Sequence, residues 1–238
     1  MFESLTELTS EYLYSLEDFR ISEHLNKHKR PENDEEFGYY LAGLIEGDGY
    51  FGENRFEIAF HINDTFLAYF IKKRIGYGSV LKLKCKNSVR YVLRHSEGLK
   101  KVIYLINGKF VSNDKINQLL KHKYDTKFNI TILPSTTFNI TTNYWLCGFA
   151  DADGSFVIHC SKSHTHKVGY GVRLEFKIKQ KNNKQLDLIL KYLGGNCYYL
   201  NKDDIFYYNS TNFKVAKVVI EYFDKFQLNS SKYVNYLK

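Results

Sequence analysis

Proline is nearly absent, with two among 238 residues. No Gly/Ser-rich or low-complexity tract breaks the chain, which excludes a long unstructured linker. No run of about 18 apolar residues occurs, the length a membrane-spanning helix needs, so no transmembrane segment is indicated. Cysteine is sparse, and Cys85, Cys147, Cys160 and Cys197 show neither C-x-x-C spacing nor histidines at zinc-ligand intervals. That excludes a zinc module and leaves reduced thiols in a reducing compartment. The first 20 residues carry Glu3, Glu7, Glu11, Glu17 and Asp18, unlike the Arg-rich, acid-poor transit peptides. A protein of this kind acting in an organelle is expected to be made there.

Acidic residues are the minority charge, 26 Asp+Glu against 34 Lys+Arg, for a net charge of +8. An anionic partner is implied, nucleic acid being the commonest. Apolar residues make up 44% of the chain, enough for a core in one large domain or two fused ones.

Two blocks share one pattern 105 residues apart: Leu41-Ala-Gly-Leu-Ile-Glu-Gly-Asp-Gly49 and Leu146-Cys-Gly-Phe-Ala-Asp-Ala-Asp-Gly154. The duplication continues beyond them. Phe56-Glu-Ile-Ala-Phe-His-Ile and Leu174-Glu-Phe-Lys-Ile-Lys-Gln both alternate as half-buried strands do, with Glu57 and Glu175 118 positions apart. Helices follow at about 65–75 and 183–193, each closed by a glycine suited to a C-cap, Gly76 and Gly194. Strand-like runs come next at 79–86 with 89–95 and at 197–201 with 205–209, then helices at about 97–107 and 211–225. Each half ends on a similar stretch, beginning at Lys115 and at Lys232. The fold expected is α+β, two αββαββα repeats with antiparallel sheets. The divisions are an N-terminal extension 1–37, a first repeat 38–120, a linker 121–143 and a second repeat 144–238. The extension reads as an amphipathic helix (Leu5, Leu8, Tyr12, Leu16, Phe19) and a polar stretch. The offset breaks once: the second repeat's first hairpin is longer and contains Ser161-Lys-Ser-His-Thr-His-Lys167.

Small residues four apart, Gly43/Gly47 and Gly148/Ala152, allow two helix backbones to approach closely. Glycine inside a helix costs up to about 1 kcal/mol relative to alanine, so a tight helix–helix dyad is expected. Asp48 and Asp153 fall at the helices' C-terminal ends, where the dipole disfavours a carboxylate, and a dyad brings their charges together. A hard divalent cation reverses that penalty. Mg²⁺ fits, bound through one or two carboxylates plus phosphate, and Mn²⁺ or Ca²⁺ can occupy the same place. Glu46 and Asp151 point elsewhere on the helices and are expected to cap or pair locally.

The two blocks resemble the motif of the LAGLIDADG homing endonucleases in their single-chain, two-repeat, intron-encoded form. The resemblance covers about residues 38–238. It implies one metal-binding acid per motif, Asp48 and Asp153 by position, and motif helices packed at a pseudo-dyad. The implied activity is hydrolysis of one phosphodiester on each strand of a long asymmetric double-stranded DNA site by a metal-activated water, leaving 3′ overhangs. A monomeric mitochondrial intron product is implied as well. Glu46 stands where the motif usually has Asp.

In that family the sheets form a DNA-binding saddle in the major groove, which admits a two-stranded ribbon. Alternation turns Phe56, Ile58 and Phe60, with Leu174, Phe176 and Ile178, toward the core, and Phe156, Ile158 and Cys160 likewise. It leaves Glu57, His61, His159, Ser161, Glu175, Lys177 and Lys179 for DNA, joined by a basic stripe of Lys82, Lys84, Lys86, Arg90 and Arg94. Lys115 and Lys232 are candidates to steady the charged transition state, and Gln180 to position a solvent molecule. Two rival functions share the scaffold: an intron RNA maturase binding its host intron, and a catalytically inactive DNA-binding regulator.

Overall fold

A computed structural model describes residues 28–84, 86–165 and 167–238. The amphipathic segment expected around Leu5–Phe19 lies outside the described residues. The first element, α1 (Asp34–Asp48), begins with the Asn33 side chain accepting a hydrogen bond from the Glu36 amide. Asp34, Glu35 and Glu36 fill its first turn, where the helix dipole favours them. It starts four residues ahead of the boundary read at residue 38. Next come β1 (Gly49–Gly52) and β2 (Arg55–His61), α2 (Thr65–Ile75), β3 (Ser79–Lys82), β4 (Ser88–Leu93) and α3 (Ser96–Ile106). Gly76, at φ 88°, closes α2 in the left-handed conformation that glycine takes at low cost.

The second repeat runs α6 (Trp145–Asp153), β5 (Gly154–Lys162), β6 (Tyr170–Gln180), α7 (Lys184–Leu193), β7 (Asn196–Leu200), β8 (Ile205–Ser210) and α8 (Phe213–Lys225). Both sheets are antiparallel and four-stranded, with matching orders β1-β2-β4-β3 and β5-β6-β8-β7. Ile58 pairs with Gly49 and Tyr91, and Ile178 with Gly154 and Tyr208, the same places in the two sheets. Each repeat adds one short helix to the expected order: α4 (Asp114–Lys121) carries Lys115, and α9 (Lys232–Leu237) opens on Lys232. The stretch read as a linker also packs. It holds α5 (Tyr124–Phe128), whose buried Tyr124 hydroxyl donates to the Gly52 carbonyl at 2.8 Å. No helix among the described residues is long and apolar enough to cross a membrane.

The helix pair α1/α6 lies at the centre of the molecule. A Cβ on Gly43 would stand 1.9 Å from the Trp145 carbonyl oxygen, and one on Gly148 would stand 1.9 Å from that of Tyr40. At both places one helix's backbone meets a position without a side chain on the other. The pseudo-dyad relates the two, so the glycines explain each other. Aromatic residues flank the pair: Trp145 stacks on Phe149 at 5.0 Å and meets the edge of Phe138.

Three strand expectations need correction. The run 79–86 pairs only as far as Lys82, because Leu83 turns back with its amide on the Ser88 carbonyl; Lys84 and Lys86 therefore occupy a turn. Arg94 lies just past the end of β4. Ile158 and Cys160 are exposed, with Ile158 50% accessible. The long β5–β6 hairpin extends past the helices, so its inward-phased residues have no core to meet.

Candidate active site

Asp48 and Asp153 are the last residues of α1 and α6. They meet across the dyad: a Cβ on Gly47 would sit 2.7 Å from Asp153 Oδ2 and 2.3 Å from the Ala152 Cβ. Burial, and then the charge of Asp153, push the Asp48 carboxyl up to about 6, against the pull of Lys232 and Lys115. Burial likewise raises Asp153, against the pull of Gln180 and the same lysines. Neither helix has a basic residue in its last turn. The compensating cations come from other elements. Lys115 Nζ donates to the Gly49 carbonyl at 2.6 Å, and Lys232 Nζ to the carbonyls of Ala150 and Ala152. Each ammonium thus sits at the negative end of its own repeat's motif helix. Burial lowers both lysines, opposed by the carboxylates around them, which for each include Asp48 and Asp153.

Gln180 Nε2 donates to Asp153 Oδ2 at 2.7 Å, so its amide touches the carboxylate directly. By the sheet register, in which Ile58 and Ile178 correspond, Phe60 is its counterpart, and the two halves differ at this point.

Among the described residues no three His, Cys, Asp or Glu side chains gather as a metal cage. A cation at the dyad would therefore have two protein carboxylates and a majority of positions left for water and phosphate oxygens. That donor set fits Mg²⁺, which keeps several waters and binds few protein ligands.

Glu46 and Asp151 do not pair locally. Both are buried, and their partners lie 65 to 139 residues away, the farthest being Gln185 Nε2 at 3.5 Å from Glu46. Glu46 accepts from the Val111 and Ser112 amides and from Trp145 Nε1 at 2.8 Å. Asp151 accepts from the Asn229 and Ser230 amides and from the Tyr40 hydroxyl at 2.8 Å. Burial raises Glu46 to about 7, opposed by the amides of Ser112 and Val111 and the Trp145 indole. Burial also raises Asp151, opposed by the donors from Ser230, Asn229 and Tyr40.

The candidate DNA face of the first sheet carries Tyr50, Arg55, Glu57, Arg90 and Val92 in one register. Glu57 is held between Arg55 at 3.7 Å and Arg90 at 3.4 Å. Lys82 pairs with Val89, on the opposite phase from Arg90; with Lys84 and Lys86 it lines a hollow at the hairpin tip. His61 is exposed at the end of β2, and its ring accepts from the Asn63 amide. On the second sheet His159, Arg173, Glu175, Lys177 and Lys179 share the outward face, with exposed Ser161 farther along the hairpin. Glu175 is not open to a partner: its side chain is 5% exposed, covered by Lys177, His159 at 3.0 Å and Arg173 at 3.6 Å. The alternation holds, and three basic side chains of the same face close over the carboxylate and cover it. Arg55 and Arg173 are additions to the residues picked out by sequence. The sequence does signal both, each standing two positions before a glutamate already singled out.

The family model described as LAGLIDADG endonuclease matches residues 146–238. The Schizosaccharomyces pombe cox1 intron-2 37.2 kDa protein is 47% identical over 225 residues, covering 92% of this chain and 69% of the relative. The probable intron-encoded endonuclease 4 of Neurospora crassa is 30% identical over 213 residues, 84% of this chain and 38% of the relative. Among solved structures, the meganuclease I-SmaMI bound to uncleaveable DNA matches with a TM-score of 0.64 at 23% identity, over 84% of this chain and 88% of that one. At that identity the likeness speaks to the fold.

Proposed function

This chain belongs to the LAGLIDADG endonuclease family, and from that premise we propose that it is a site-specific, divalent-metal-dependent DNA endonuclease. The observation that carries the reading is the meeting of Asp48 and Asp153 at the dyad, each destabilised by burial and neither engaged by more than a single side-chain donor. The two carboxylates would hold the metal, Mg²⁺ in this reading with Mn²⁺ or Ca²⁺ as substitutes. When bound, such a cation neutralises phosphate charge and lowers the pKa of water. Lys115 and Lys232, fixed to the helix-end carbonyls, place two ammonium groups where negative charge grows during phosphodiester cleavage. Gln180, anchored on Asp153 through its amide nitrogen, offers its carbonyl oxygen to orient a solvent molecule on that side.

The substrate is a long asymmetric double-stranded site, since the two sheets present different residues. Repeats 38–120 and 144–238, with the linker 121–143 and the extension 1–37, act as one monomeric unit. A mitochondrial setting belongs to this reading, supported by the likeness to a cox1 intron protein. Arg55, Arg90, Arg94, His159, Arg173, Lys177 and Lys179 face the DNA, with Glu57 and Glu175 fixing the basic side chains beside them. His61 and Ser161 lie at strand and hairpin ends, and Lys82, Lys84 and Lys86 reach the phosphates from the hairpin tip.

Removing one cationic side chain from a phosphate should lower the salt slope of binding by about 0.9. Changing Lys82, Lys84 and Lys86 together to alanine is therefore expected to lower it by up to about 2.7, three times that amount, measured by titrating target DNA at several salt concentrations. Lys232→Ala is expected to slow cleavage more than it weakens binding; equal reductions in rate and affinity would make Lys232 a simple phosphate-binding group.

The experiment for the main reading incubates the protein and an Asp48→Asn/Asp153→Asn variant with Mg²⁺ and a randomised-site plasmid library. The wild type should yield one defined double-strand break with 3′ overhangs, and the variant none. A wild type that cuts nothing yet promotes splicing of its host intron RNA would establish the maturase instead.

A further inference from the structure

We infer that Glu46 and Asp151 are positioning residues, each setting the lysine of its own repeat while tied by a hydrogen bond to the opposite repeat's motif helix. The inference rests on the proposed nuclease reading for its consequence, but its geometry stands apart from it. Glu46 belongs to α1, and its carboxylate spans two directions. Toward its own repeat it receives the amides of Val111 and Ser112, in the loop that starts α4, three residues ahead of Lys115. Across the dyad it receives the indole of Trp145, the first residue of α6. Asp151 repeats this from α6: it takes the amides of Asn229 and Ser230, just before Lys232, and the hydroxyl of Tyr40 on α1. Tyr40 and Trp145 are 105 positions apart, as Asp48 and Asp153 are, and Ser112 and Ser230 are 118 apart. The carboxylates and these donors are thus duplicated in register, while Lys115 and Lys232 stand 117 apart and Glu46 takes a further 3.5 Å bond from Gln185.

A carboxylate is suited to this task because every partner is a donor. Two oxygens accept three or more N–H or O–H groups in the dry interior, where charge-assisted bonds are strong and directional. An amide in the same place would turn an NH₂ toward those donors. The lysine-bearing loops also touch the other repeat's strand ends. The Ser231 amide donates to Asp64 Oδ1 at 2.6 Å, and Asn182 Nδ2 donates to Asp114 Oδ2 at 2.8 Å. Each ammonium is therefore located by bonds from both halves. In this arrangement the helix packing, the lysine position and the scissile centre move as one unit, and the repeats cannot separate without displacing both lysines.

Removing the carboxylates risks unfolding, so the test removes the 2.8 Å crossing bond from each, leaving on Glu46 the longer one from Gln185 Nε2 at 3.5 Å. Tyr40→Phe keeps the ring and deletes the hydroxyl that reaches Asp151; Trp145→Phe deletes the indole N–H that reaches Glu46. Lysine reactivity is read by reductive methylation and mass spectrometry, without DNA or metal. Tyr40→Phe is expected to raise the modification rate of Lys232 roughly fivefold, the equivalent of one neutral hydrogen bond, and to leave Lys115 unchanged. Trp145→Phe is expected to raise Lys115 and spare Lys232. Rates that change equally at both lysines, or at neither, would overturn the inference and leave Glu46 and Asp151 as core polar groups. If the selectivity appears in a protein that cuts no DNA, the positioning stands and the nuclease reading fails. Trp145 is the single tryptophan of the chain, so the indole N–H resonance gives an independent check. It should shift in Glu46→Asp, and an unmoved resonance would show that the bond to Glu46 does not form.

Discussion

Asp48→Asn and Asp153→Asn, singly or together, should lower double-strand cleavage by at least about a thousandfold, some 4 kcal/mol of transition-state stabilisation. Target affinity measured in Ca²⁺ should change far less, because the sheets and not the dyad hold most of the DNA. The same change should make the metal-free protein more stable. Burial and the charge of Asp153 hold Asp48 at about 6 in the folded state, above the ordinary carboxylate value. A carboxyl whose folded value is raised favours folding while protonated, and that favour is lost as pH rises from about 4 through about 6. At pH 7 the ionised Asp48 is therefore a net cost, which asparagine removes. The expected signature is a Tm above wild type at pH 7, a difference that shrinks toward pH 4, together with abolished cleavage. A variant whose activity and stability fell in parallel would mark Asp48 as a structural residue.

Gly148→Ala carries the second large effect, and its sign separates two views of the helix. Intrinsic propensity alone predicts a gain of up to about 1 kcal/mol from alanine in a helix. The dyad predicts the reverse, because the new Cβ would lie 1.9 Å from the Tyr40 carbonyl oxygen and 2.9 Å from the Leu44 amide nitrogen. Those are backbone atoms of a buried helix and cannot swing aside as a side chain would. The helices must separate and open gaps along the best-packed seam of the protein. A loss of about 4 kcal/mol or more is expected, in the range that marks severe core disruption. Gly43→Ala should behave alike, since its Cβ meets the Trp145 carbonyl oxygen. Chemical denaturation of each variant measures this, and a stability at or above wild type would contradict the close dyad.

The central helices are legible from the sequence because duplication shows twice what a single block shows once. Gly43 and Gly148 announce a close approach, and Asp48 and Asp153 fall where the helices end. The α2 helix is also legible to its full bounds, since Gly76 supplies an unambiguous C-cap. The partners of Glu46 and Asp151 are hidden for a physical reason. Helical spacing gives the direction a side chain takes, but their donors come from loops and an opposing helix that only tertiary packing brings near. Alternation misplaces Ile158 and Cys160 for a related reason: it separates two faces without saying whether a core lies behind either. It also puts Glu175 among the residues free to meet DNA, where the cations on neighbouring positions enclose it. The turn at Leu83 shows a third limit, as the pattern Lys82-x-Lys84-x-Lys86 looks like a strand until its hydrogen bonds are seen to close a hairpin.

The shared site between Asp48 and Asp153 is tested most directly by its metal. Crystals of the protein on its selected target, grown with Mn²⁺, would be measured for anomalous scattering. The expected result is a peak at the dyad bonded to carboxylate oxygens of both aspartates and to phosphate oxygens of the DNA. Manganese bound elsewhere, with Asp48 and Asp153 touching only protein and water, would contradict it.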